Sequence, residues 1–136
     1  MRILGLDYGE ARTGVAISDA LGITAQGVES IEHGENMKKL IERLGELIRE
    51  YKVEKIVIGY PLNMNATKGP RAEKTDKFIA RLEKEFGLEV IKIDERLTTV
   101  AAHKTMTTLG VDKNKKKKIV DTISAQYILQ MYLDRS

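Results

Sequence analysis

Ile3-Leu4-Gly5-Leu6-Asp7-Tyr8-Gly9, followed by Thr13-Gly14-Val15-Ala16-Ile17-Ser18, opens the chain with two apolar runs. Ile3 to Asp7 is short and apolar, as a buried strand is. Gly9 and Gly14 bracket a turn, Thr13 to Ser18 reads as a second strand, and together they predict a β-hairpin. The first strand ends on a carboxylate, Asp7. Two other acidic stretches share that setting: Ile93-Asp94-Glu95-Arg96 ends a later apolar strand, and Ile119-Val120-Asp121 lies in an apolar helix. A carboxylate is costly to bury without a partner. Several converging in one fold are commonly rescued by a divalent cation. The leading expectation is therefore a metal-dependent reaction on an anionic substrate.

Outward from the hairpin, Ala25 to Ile31 reads as a third strand. Met37 to Tyr51 is an amphipathic helix, with Leu40, Ile41, Leu44, Leu47, Ile48 and Tyr51 at the helical period. Lys55 to Gly59 is a fourth strand, and Leu62 to Pro70 a polar loop. A second helix carries Phe78, Ile79, Leu82 and Phe86 on one face and stops at Gly87. Leu88 to Ile93 is the fifth strand. Thr98 or Thr99 caps a helix to about Leu109, closed by Gly110. The lysine run after it reads as a loop. Lys118 to about Leu133 is the last helix, with Ile119, Ile123, Tyr127, Ile128 and Met131 as its apolar side. Short turns between early strands predict antiparallel pairing, and helices between later strands predict parallel crossovers. The expected architecture is a mixed α/β sheet of five strands flanked by helices, in one domain over 1–136.

The bulk numbers agree with an ordinary globular protein: 136 residues, 42% hydrophobic and 32% charged. With no cysteine, thiolate chemistry and disulfides are excluded. No apolar run approaches the roughly 20 residues of a membrane span, and a charge arrives too early for a secretory leader. A cytoplasmic protein is expected. Net charge is +3, with a pI near 9.0, a weak pointer to a polyanionic partner. Lys113, Lys115, Lys116, Lys117 and Lys118 concentrate that charge, although a solvated basic stretch would look the same. Two Phe and no Trp offer no evident base-stacking platform.

In open α/β sheets, ligands bind beyond the carboxyl ends of parallel strands. Asp7, Asn63 and Asp94–Glu95 would share that edge. Asp121 would join them from its helix, because Ser124 and Ala125 are small enough to let that helix press on the sheet. Each has a plainer alternative. Asp7 can be a turn former, Glu95 an exposed acid beside Arg96, and Asp121 a complement to the helix dipole. His33 and His103 lack ligand spacing and read as surface residues; Met106 and Met131 read as core. No Ser/His/Asp set, dinucleotide glycine pattern or phosphate loop is present.

Four segments, in order, resemble one known family. Asp7-Tyr8-Gly9-Glu10-Ala11-Arg12-Thr13-Gly14-Val15-Ala16-Ile17-Ser18-Asp19 is similar to the opening motif of the YqgF/RuvX family. These are Holliday-junction-resolvase-like proteins of the RNase H-like superfamily, also described as candidate pre-16S rRNA nucleases. Gly59-Tyr60-Pro61-Leu62-Asn63-Met64-Asn65 resembles its second motif and Asp94-Glu95-Arg96-Leu97-Thr98-Thr99 its third. Lys118 to Asp121, Ser124-Ala125 and Ile128-Leu129-Gln130 resemble the last. Two departures stand out. Ala66 lies where the family usually has Gly, and Ser124 where related resolvases tend to carry a second acid.

The resemblance implies an RNase H-like fold and a metal-dependent endonuclease, with Asp7, Glu95 and Asp121 as catalytic and metal-binding residues. Two Mg²⁺ or Mn²⁺ ions would sit roughly 3.5–4 Å apart, bridged by Asp7. Asp94, alternating with Glu95, would point to the opposite face. Gly9, Arg12, Asn63, Arg71, Arg96, Lys115, Lys116, Lys117 and Lys118 would contact nucleic acid, chiefly phosphates. The implied role is processing the 5′ end of precursor 16S rRNA, as a monomer or weak homodimer that meets ribosomal particles and no membrane. The alternatives are a Holliday junction resolvase on branched DNA, which calls for a dimer, and a non-catalytic module binding nucleic acid or transcription machinery.

Overall fold

The computed structural model describes residues 1–63, 65–97 and 113–135, with backbone alone for 113–116. Five strands form one sheet in the order β3-β2-β1-β4-β5. They are β1 (Arg2–Tyr8), β2 (Arg12–Ser18), β3 (Ala25–Glu32), β4 (Val53–Tyr60) and β5 (Glu89–Asp94). β1, β2 and β3 pair antiparallel, while β1–β4 and β4–β5 are parallel. This is the expected mixed sheet, each strand within two residues of its sequence-based limits.

Helix α1 (Met37–Tyr51) begins at Asn36, whose side chain accepts from the Lys39 N–H at 3.1 Å, satisfying one of the donors left open at a helix start. Helix α2 (Pro70–Phe86) has Pro at its first position, where no N–H is needed. It ends on Gly87 at φ 63°, whose N–H donates to Glu83 O at 2.9 Å. Both helices cover one face of the sheet. There the alternate strand residues Leu4, Leu6, Val15, Ile17, Ile56 and Ile58 meet Leu40, Leu44, Leu47, Phe78 and Leu82. Each such side chain contributes about 1.5–3 kcal/mol on burial.

A 3₁₀ turn (Glu95–Leu97) follows β5, and α3 (Lys113–Arg135) crosses the other face. The lysine run is not a loop: Lys113 to Lys118 form the first turns of α3. Lysine is a good helix former, and no Gly or Pro interrupts it. The inward side of α3 also differs from the one expected. Val120, Ser124, Ala125, Ile128, Leu129 and Leu133 are buried, whereas Ile119 is 50% and Tyr127 38% exposed. The reason lies in the sheet. A Cβ on Gly5 would stand 2.7 Å from Leu129 Cβ and 3.1 Å from Ala125 O. The helix therefore sits almost on the strand backbone, and Ser124 and Ala125 share the inside with Ile128, Leu129 and Leu133. The helix expected from Thr98 or Thr99 to Leu109, with Gly110, His103 and Met106, lies outside the described residues.

Candidate functional site

One row of residues crosses the α3 face of the sheet. Ser30 of β3 pairs with Gly14 of β2, and Gly14 pairs with Asp7 of β1. Leu6 pairs with Ile58, so Gly59 of β4 comes next beside Asp7. Gly59 in turn pairs with Ile93 of β5, just before Asp94 and Glu95. Asp7 is thus a buried carboxylate, 4% exposed, flanked by a glycine on each side.

Both glycines are there for room. A Cβ on Gly14 would run into the Asp121 backbone carbonyl. A Cβ on Gly59 would lie 2.7 Å from Glu95 Oε1 and 2.6 Å from Ile128 Cδ1. The bare backbone on one side of Asp7 accepts the α3 turn that carries Asp121, and on the other the Glu95 side chain. Asp7, Glu95 and Asp121 therefore arrive from a strand end, a 3₁₀ turn and a helix onto neighbouring positions of one face.

They do not yet close on one point. Asp121, 9% exposed, takes two donors on a single oxygen: Arg12 Nε at 2.7 Å and Ser30 Oγ at 2.8 Å. Among the described residues, no group of three or more His, Cys, Asp or Glu is already gathered as a metal cage. The donor chemistry still fits a hard divalent cation, which takes carboxylate and hydroxyl oxygens. So does Ser124 Oγ, fully buried one helical turn from Asp121 with no hydrogen-bond partner among the described residues. A buried polar atom of that kind calls for an explanation such as a water or an ion. Asp7, Glu95 and Asp121 could hold the ion.

The remaining expected contacts spread around this edge. Arg96 is engaged with Asp94 (2.6 Å), and its hydrogen bonds hold the Asp94 carboxyl below the usual range. Asp94 pairs in register with Tyr60, whose hydroxyl donates to Asp76 of α2 at 2.7 Å. That sets Asp94 on the face opposite Asp7, as strand alternation predicts. Arg71 and Lys117 are exposed, and Lys118 pairs with Glu32 at 3.1 Å. Lys115 and Lys116 lie in the first turns of α3. Gly9 serves its own turn, since a Cβ there would stand 2.6 Å from Arg12 O. Asn63 closes the loop after β4, donating to Thr67 Oγ1 at 3.0 Å and accepting from Ala66 N at 2.9 Å.

Two buried contacts escaped the sequence, Ser30 in the site and His33 on the opposite face. Ser30, a polar residue in an ordinary strand, has no local signal of its contact with Asp121. His33 is not a surface residue: it is 7% exposed, its Nε2 is 2.9 Å from Thr13 Oγ1 and its Nδ1 2.7 Å from Gly34 O. Burial pushes its pKa below the ordinary 6.5. Nδ1–H donates to the Gly34 carbonyl, and in the neutral ring Nε2 accepts from the Thr13 hydroxyl.

A family model described as "RuvX: Holliday junction resolvase" matches residues 1–135. A protein of Ruminiclostridium cellulolyticum is 59% identical over 135 residues, covering 99% of this chain and 95% of its own. One of Clostridium tetani is 56% identical over 134 residues, covering 98% and 96%. Both are named "Putative pre-16S rRNA nuclease". The chain belongs to the RuvX family. It is a family of nucleases, hydrolases of phosphodiester bonds. Two solved structures share this RNase H-like fold. RuvC of Thermus thermophilus with a Holliday junction matches at TM-score 0.61 and 14% identity, covering 99% of this chain and 94% of that one. Fowlpox virus resolvase with Holliday junction DNA matches at 0.60 and 14%, covering 99% and 98%. No described helix is long and apolar enough to cross a membrane.

Proposed function

We propose that this chain is a metal-dependent endonuclease whose working residues are Asp7, Glu95 and Asp121. The supporting observation is the glycine-flanked Asp7. Gly14 and Gly59 hold open the two positions through which Asp121 and Glu95 approach it. A sheet face that served packing alone would fill those positions with side chains.

In this reading the trio holds one or two Mg²⁺ or Mn²⁺ ions, which supply activation of a water and stabilisation of charge on the leaving oxygen. Asp7, fixed by burial in a strand, is the least movable of the three oxygen donors. Glu95 and Asp121, on a 3₁₀ turn and a helix, can adjust to it. Exposed Arg71 and Lys117 draw the phosphate backbone to this edge, with affinity that falls as salt rises. Ser124 offers a buried hydroxyl beside the carboxylates. Asn63 shapes the loop over the end of β4.

The proposed substrate is precursor 16S rRNA at its 5′ end, met in ribosomal particles by a cytoplasmic monomer or weak homodimer. The relatives' names favour this substrate. A second reading, cleavage of branched DNA, is favoured by the family description and by the two junction-bound resolvases. Cleavage of precursor 16S rRNA and of a four-way junction, assayed side by side with Mn²⁺, separates the two. Asp7→Asn should cleave neither. A variant as fast as the native protein would overturn the metal mechanism.

A further inference from the structure

The least expected feature of the site is where Asp121 looks. Its backbone lies over Gly14, yet its Oδ2 bonds to Ser30, the residue on the β3 side of Gly14. Asp7 is on the β1 side of the same glycine. Arg12, two residues before Gly14 on the same strand face, donates to the same oxygen from the strand's start. The side chains of Arg12 and Asp121 are 26% and 12% exposed, so the pair is largely withdrawn from water.

We propose that Arg12, steadied by Ser30, is a latch: it holds Asp121 turned from Asp7 until a divalent cation displaces it. The proposal rests on the metal site argued above and adds a positioning role for two residues. Its physical basis is charge. Three carboxylates brought to one patch of low dielectric repel one another unless a cation is present. A guanidinium on Asp121 supplies that positive charge while the site is empty of metal. Arg12 and the metal would both draw on the one carboxylate of Asp121, so the two cations compete for its charge.

Release has a second consequence. A guanidinium freed from a carboxylate presents a planar fork of donors suited to a phosphate. A nucleic-acid phosphate that draws Arg12 away would therefore favour metal binding at Asp121. By linkage, the metal would favour phosphate binding at Arg12 to the same degree.

The test is calorimetric titration of Mn²⁺ into the native chain, Arg12→Gln, Arg12→Lys and Ser30→Ala. Removing the competing charge should tighten Mn²⁺ binding about tenfold in Arg12→Gln, the equivalent of roughly 1.4 kcal/mol. Arg12→Lys should stay near the native value, and Ser30→Ala should tighten binding by less than Arg12→Gln. A structural role alone would not produce tighter binding. In parallel, the Arg12 Nε–H signal of the ¹⁵N-labelled native protein, assigned by its loss in Arg12→Lys, should shift on saturation with Mg²⁺. This second measurement decides the matter alone if Arg12→Gln does not fold. If the native chain binds Mn²⁺ and Arg12→Gln binds no tighter, or the signal stays fixed at saturating Mg²⁺, the latch is overturned and the metal site stands. If neither native chain nor variant binds Mn²⁺, both fall.

Discussion

The two faces of the sheet are built from the same strands by opposite rules. On the face under α1 and α2, Leu4, Leu6, Val15, Ile17, Ile56 and Ile58 point into a core of large side chains. On the face under α3, Ile3, Val57 and Ile93 pack against Ile128, Leu129 and Leu133, but the positions around the site are Gly5, Asp7, Gly14, Ala16 and Gly59, met by Ser124 and Ala125. The first face gains stability from volume. The second gives up volume so that a helix and a glutamate can reach one buried aspartate. The lesson is that glycines within a strand, usually a weakness, here mark the side of the proposed site.

The sharpest way to break this comparison is to strike each face once. Asp7→Asn should lower kcat on the proposed substrate by about 10³-fold, equivalent to roughly 4 kcal/mol, the scale of losing a metal-held transition state. Its thermal unfolding should stay near native. Leu44→Ala, at a fully buried position of the other face, should cost about 2–5 kcal/mol of stability by opening a cavity. The Mn²⁺ affinity of the folded fraction should not change. If Asp7→Asn mainly unfolds the chain, or Leu44→Ala mainly weakens metal binding, the division of labour is wrong.

Smaller effects sharpen it. Gly14→Ala adds a methyl that meets the Asp121 carbonyl, an overpacking cost of about 1–3 kcal/mol. Because the methyl moves the helix turn carrying Asp121, calorimetry should also find weaker Mn²⁺ binding. Ala66 has φ +68°, a left-handed backbone that disfavours a side chain by about 1–2 kcal/mol. Ala66→Gly should raise stability by up to about 1 kcal/mol in denaturant unfolding, the entropy of glycine offsetting part of the relief.

The gentlest test is pH. His33, on the α1/α2 side with Tyr8 and Thr13, has its folded pKa lowered by burial from 6.5. The unfolded chain therefore takes up its proton first as pH falls. The stabilisation is complete above 6.5 and is lost between 6.5 and the lower folded value. The unfolding free energy of His33→Gln should show a shallower decline over that window than the native chain's.

Much of the fold was legible because its signals are local. Met37–Tyr51 matches the periodic stretch, and Asn36 and Gly87 supply the helix ends. The strands follow apolar runs of the right length. The face of α3 was not legible, because it depends on which strand positions lack side chains. Nor was the burial of His33, which rests on Thr13, 20 residues away. Ala66 shows the reverse: it departs from the family's usual glycine at a backbone position that favours glycine.

The sequence by itself determined which carboxylates lie at strand ends and which glycines stand near them. A strand's alternation and an apolar run's end are written within a few residues. Only the tertiary structure decided that Gly14 and Gly59 flank Asp7, and that Asp121 is held by Ser30 and Arg12. Those contacts join residues 91 and 109 positions apart. The pairing order of the sheet brings them together, and no local preference specifies that order.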